Sequence, residues 1–139
     1  MPSRRELLVS LATLPALTLR PSPARGADPA VRVLVWDEQQ PAQKQAYENF
    51  LGNAIAAHLE KQPGLRVISA NLQQPDHGLP RELLDNTDVL IWWGHVRQQE
   101  IPAEKARAIV ERIQAGRLAL VALHSAHWAR PFEIGRAHV

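Results

Sequence analysis

Four short runs of nearly unbroken apolar residues constrain this chain more than any other feature. They are VRVLVW (31–36), LRVISA (65–70), DVLIWW (88–93) and LALVAL (118–123). A strand wetted on one face alternates apolar and polar residues, whereas one covered on both faces is apolar throughout. Helical spacing fills the intervals. In PAQKQAYENFLGNAIAAHLEKQPG (41–64), residues Tyr47, Phe50, Leu51, Ala54, Ile55, His58 and Leu59 share one stripe, with Pro63 and Gly64 as its end. His58, on that stripe, is expected to be a packed core histidine. A loop with Pro75, Asp76, His77 and Gly78 leads to a short helix around 80–84, and His77 is expected to be solvated. In IPAEKARAIVERIQAG (101–116), Pro102 suits a first helical turn, Ala106, Ile109, Val110 and Ile113 share a face, and Gly116 is the terminator. Alternation of this kind predicts an α/β domain, a doubly wound parallel sheet of flavodoxin-like type.

In such sheets ligands bind beyond the carboxyl ends of the strands, where the loops converge. Asp37 and Glu38 follow the first run, Gly94 and His95 the third, and His124, Ser125 and His127 the fourth. If the first, third and fourth strands are neighbours, these groups line one rim. Three neutral imidazoles, His95, His124 and His127, are of the type that binds Zn²⁺ or another divalent ion and leaves a position open for water or a sugar oxygen. Bringing His124 and His127 together at a strand end requires a sharp turn. The alternative is that these histidines hydrogen-bond a sugar or each other. Asp37 or Glu38 is the expected proton carrier; adjacent in an extended segment, they diverge, so one of the two is expected in the site. Trp36, Trp93 and Trp128 flank the same rim, and with Gly94 they are the candidate sugar-contacting positions, since an indole covers the apolar face of a sugar ring. Core packing is the competing role for each tryptophan.

The two ends of the chain read differently from its middle. Residues 1–27 carry Arg4 and Arg5, an apolar stretch over 7–19, then Pro21, Pro23 and small residues, the pattern of an export signal. Ser-Arg-Arg-Glu-Leu-Leu resembles a twin-arginine signal, which implies a periplasmic or extracellular destination. The apolar stretch is too short to span a bilayer as a mature helix. IGRAHV (134–139) back-translates with ordinary codons to a sequencing-adapter sequence, so residues 133–139 are expected to be artefactual and the domain, 28–132, to be cut short. Of 16 Lys and Arg, four lie in the first 27 residues and one in the last seven; of 14 Asp and Glu, each end holds one. The remaining 11 basic residues face 12 acidic ones, which removes the support that the whole-chain pI near 9.5 lends to nucleic-acid binding. Without cysteine there is no disulfide framework, thiolate metal site or cysteine nucleophile in this sequence.

VLVWDE, DVLIWWGHV and LVALHSAHW resemble blocks of the ThuA-like, trehalose-utilisation family, which shares the fold of class I glutamine amidotransferases. WWGH followed some 28 residues later by LHSAH is the specific part. The resemblance covers about residues 31–132. It implies a saccharide ligand, an oxidised 3-keto disaccharide among the candidates, and isomerase or lyase/hydrolase-type chemistry. It also implies a domain that continues past this sequence. A non-catalytic carbohydrate-binding or accessory protein is the alternative from another class. Ser125 invites a third reading. A serine on a strand-to-helix turn resembles a nucleophile elbow, and the amidotransferase relatives place their cysteine in this region, but the glycines of G-x-S-x-G are replaced by His124 and Ala126. A hydrogen-bonding or structural role is the competing assignment for Ser125.

Overall fold

A computed structural model describes residues 30–136. Residues 1–29, which include the segment 1–27 read as an export signal, and the final residues 137–139 lie outside the described residues. The strands are β1 (Val31–Asp37), β2 (Leu65–Asn71), β3 (Val89–Trp93) and β4 (Ala119–Leu123). The helices are α1 (Leu51–Leu59), α2 (Arg81–Asp85), α3 (Ala103–Gln114) and α4 (Arg130–Arg136). All four strands are parallel, in the order β2-β1-β3-β4. With helices interleaved between them, this is an α/β fold of flavodoxin-like type.

Side-chain alternation along each strand divides the core into two layers. Leu34, Trp36, Leu90 and Trp92 point to one face and meet Leu79, Leu84, Ile101 and Ile109. Val33 and Val35 point to the other and meet Ala56, with Ile55 and Leu59 of α1 partly buried against them. Both faces are therefore covered, which is why β1 and β3 read as apolar without alternation. Trp36 and Trp92, on neighbouring strands in register, pack with ring centroids 4.1 Å apart. Among the described residues nothing pairs with the outer edge of β4, and Val121 there is 43% exposed. No described helix is long and apolar enough to cross a membrane.

The first helix departs from the sequence reading. Residues Pro41–Gln45 form a 3₁₀ turn, and α1 begins only at Leu51, after Phe50 takes a positive φ of 61°. Tyr47, assigned to the apolar stripe, is 40% exposed. The buried side of α1 runs through Gly52, Ile55, Ala56 and Leu59, so His58 falls off its edge and is exposed rather than packed in the core. The cause is local. The carboxylate of Asp37 accepts the backbone N–H of Gly52 at 2.7 Å and the Gln43 side-chain amide at 3.0 Å, fixing where the helix starts.

Candidate functional site

The strand order places the ends of β1, β3 and β4 side by side, with Asp37 in register with Trp93 and Trp93 with Leu123. The segments leaving these three strands therefore share one rim. After β3 the chain turns through Gly94 and His95; after β4 it enters a 3₁₀ helix, His124–Trp128. Across this junction His95 Nδ1 lies 2.7 Å from Ser125 Oγ in a hydrogen bond. The rings of His95 and His124 stack with centroids 5.5 Å apart and planes 18° apart. Trp93 is the next ring, 6.4 Å from His124 with planes 18° apart. The rim thus carries three rings in a row beside a hydroxyl.

His127 stands apart from this group. Its ring is tilted against Trp128 at 5.1 Å, and its Nδ1 is 3.5 Å from the His124 carbonyl oxygen. Among the described residues no group of three or more His, Cys, Asp or Glu is placed to hold a metal ion. In this arrangement His95, His124 and His127 do not form the converging three-nitrogen set that Zn²⁺ requires.

The two carboxylates are engaged behind the rim. Glu38 is fully buried, and its oxygens accept the backbone N–H groups of His95 (2.9 Å), Val96 (3.0 Å) and Arg97 (3.0 Å) together with the Gln40 side-chain amide (2.5 Å). Asp37, equally buried, binds the Gly52 N–H at the start of α1 and also accepts the Gln39 N–H at 2.7 Å. They diverge, as the sequence suggests. Neither lies free on the rim as a proton carrier; one holds the loop after β3, the other the start of α1.

The tryptophans separate as well. Trp36 is fully buried and donates its indole N–H to the His77 carbonyl oxygen at 2.8 Å, so it belongs to the core and not to the rim. Trp93 is nearly buried, while Trp128 is 59% exposed. Gly94 is buried, and a Cβ there would meet Gln98 Oε1 at 2.7 Å and Trp92 Nε1 at 3.1 Å; it permits close packing rather than ligand contact. His77 is partly buried instead of solvated, because its carbonyl is tied to Trp36. The sharp turn is also one residue earlier than an elbow serine demands: His124, not Ser125, takes the left-handed φ of 53°.

Gln98 has no counterpart in the sequence reading. It is 2% exposed, and its amide donates to the Ser125 carbonyl oxygen at 3.0 Å, joining the loop after β3 to the turn after β4. Gln99 makes the same kind of link to the Trp128 carbonyl at 3.1 Å. No spacing signal in VRQQE distinguishes a buried glutamine from a solvated one. A scan of protein-family models gives no match to this chain, and a search of curated proteins gives no matching relative.

Proposed function

We propose that this chain is an exported α/β domain of the ThuA-like kind that binds a saccharide at this rim and acts on it, with a 3-keto disaccharide as the favoured ligand. The observation that carries the reading is the row Trp93–His124–His95 with Ser125 hydrogen-bonded at its end. Sugars offer C–H faces to aromatic rings and hydroxyls to polar atoms. Exposed Trp128, at the end of the 3₁₀ helix that begins with His124, supplies an indole face, and the imidazoles and hydroxyl supply the polar atoms. The WWGH and LHSAH blocks, which carry the ThuA-like resemblance, contribute all of these groups but Trp128. With Asp37 and Glu38 committed to backbone N–H groups, moving a proton beside a ketone falls to His95 and His124.

Intrinsic tryptophan fluorescence of the purified chain, titrated with trehalose and with 3-keto disaccharides, tests the binding. Saturable quenching that weakens at least about tenfold in Trp128→Ala is expected, a loss of about 1.4 kcal/mol. No saturation with any disaccharide up to millimolar concentration would overturn the reading. Following a 3-keto disaccharide by NMR with protein, with and without added Zn²⁺, separates an enzyme from a carbohydrate-binding accessory protein: only the enzyme changes the sugar's signals.

A further inference from the structure

We propose that Ser125 is a nucleophile toward acyl esters, with His95 as the base that takes its proton, and that the ester it cleaves is carried on a sugar hydroxyl. The sugar half of this proposal rests on the saccharide reading of the rim; the nucleophile half stands on geometry alone.

The described residues hold three serines and threonines. Ser69 gives its hydroxyl to Asn53 Oδ1 at 2.6 Å, and Thr87 gives its hydroxyl to the Leu83 carbonyl oxygen at 2.8 Å. Only the Ser125 hydroxyl is bonded to an imidazole, at 2.7 Å. An adjacent base within such reach is what turns a weak hydroxyl into a nucleophile.

This pair is held from behind on both sides. Fully buried Glu38 fixes the backbone N–H of His95, and nearly buried Gln98 fixes the carbonyl of Ser125. The two side chains themselves face outward, His95 exposed and Ser125 partly so. Burying polar groups behind a reactive pair holds its geometry without blocking it. A surface Ser–His contact formed by chance would not need either anchor. The His124 ring lies beside His95 at 5.5 Å, and the strand ends are where an α/β sheet places its ligand.

The chemistry balances with water as the only co-reactant. Ser125 Oγ bonds to the ester carbonyl carbon as its proton passes to His95 Nδ1. The C–O bond to the sugar breaks, and the leaving alkoxide takes the proton back from His95, so the sugar departs as an alcohol. Water then attacks the acyl-serine, giving its proton to His95. The acyl–Oγ bond breaks, the proton returns to Oγ, and a carboxylic acid leaves.

Diisopropyl fluorophosphate, followed by peptide mass mapping of the full chain, tests the nucleophile. A single adduct on Ser125 is expected in the wild type. Its rate should fall about 10²–10⁴-fold in His95→Gln, the range for loss of a positioned base. Absence of an adduct on Ser125 overturns the proposal, as does an unchanged rate in His95→Gln. Because His95 is exposed, that variant should retain its circular dichroism; the wild-type adduct also stands as a measurement independent of any variant. Acetate release from a peracetylated disaccharide, abolished in Ser125→Ala, is expected next. An adduct without acetate release overturns the sugar-ester substrate. Disaccharide binding is read separately by fluorescence: labelling with no such binding overturns the saccharide reading and the sugar-ester class while supporting the nucleophile.

Discussion

The buried carboxylate of Glu38 receives the backbone N–H of His95 at 2.9 Å, and those of Val96 and Arg97 at 3.0 Å each. Three successive donors on one anion define the turn that carries His95 to the rim. Glutamine at this position keeps the shape but removes the charge and points an N–H₂ group at backbone donors. Hydrogen bonds to charged groups contribute about 1.5–3 kcal/mol each, and a buried donor left unpaired costs a further ~1–3 kcal/mol. Glu38→Gln should therefore destabilise the fold by about 2–4 kcal/mol in urea unfolding. Amide hydrogen exchange at residues 95–97 should accelerate more than in the strands, because the damage is centred there.

Gly52 tests the other carboxylate. A Cβ on this residue would lie 2.5 Å from Asp37 Cβ and 2.9 Å from Asp37 Oδ2. Alanine is ordinarily the better helix former by about 1 kcal/mol. Here the close approach reverses that preference, since either α1 or the Asp37 side chain must move. Gly52→Ala is expected to lower stability by about 1–3 kcal/mol, the usual range for overpacking. Thermal unfolding of Gly52→Ala alongside Gly116→Ala separates crowding from backbone strain: Gly116 has nothing within 4 Å of the added Cβ but holds a φ of +66°.

Which parts of this molecule can be read from its sequence depends on how each is encoded. The central strands β1 and β3 are legible because double-sided burial writes itself as the runs VLVW and LIWW, and the crossover helices because α3 keeps Ala106, Ile109, Val110 and Ile113 on one face. Placing the runs' ends on one rim then requires only the general handedness and order of parallel sheets. The roles of Asp37 and Glu38 are not legible in the same way. A carboxylate that follows a strand looks identical whether it meets a ligand or a main-chain N–H, and its partners here, Gly52 and residues 95–97, are distant in sequence. Trp36 and Trp93 differ for a related reason: both end an apolar run, but alternation sends Trp36 into the core beside Trp92 and leaves Trp93 beside His124. Gln98 lacks any pattern at all, since its partner is a backbone carbonyl across the site.

Opposite effects are expected from two tryptophan substitutions. Trp36→Phe removes the indole N–H bonded to the His77 carbonyl and opens space against Trp92 in a fully buried layer. It should cost about 1–3 kcal/mol of stability, from the unpaired carbonyl and the lost packing, and leave sugar affinity unchanged in the folded fraction. Trp128→Ala removes a side chain that is 59% exposed. Surface substitutions of that kind change stability by less than about 0.5 kcal/mol, so its effect should appear in binding alone. Urea unfolding and fluorescence titration of both variants would expose a wrong assignment: loss of stability in Trp128→Ala, or loss of affinity in Trp36→Phe, reverses the core and rim roles of these two side chains.

At the opposite end of the sheet, Arg32 and Asp88 tie β1 to the start of β3. The Asp88 carboxylate receives Arg32 Nη2 at 2.5 Å, Nε at 2.9 Å and the Arg32 backbone N–H at 2.8 Å. The side-chain hydrogen bonds from Arg32 hold the Asp88 pKa down from 3.8 to about 2, helped by the backbone donor. Because the folded-state pKa is the lower one, the unfolded chain binds the proton first as pH falls. The pair's contribution is whole above about pH 4 and is lost as pH drops toward 2. Both side chains are more than a third exposed, so solvent screening keeps the effect small. Asp88→Asn should therefore lower stability slightly at neutral pH and converge with the wild type near pH 2. High salt should narrow the neutral-pH gap. Urea midpoints at pH 7, 4 and 2 measure this directly, and a gap that stays the same down to pH 2 would show that Asp88 does not act through its charge.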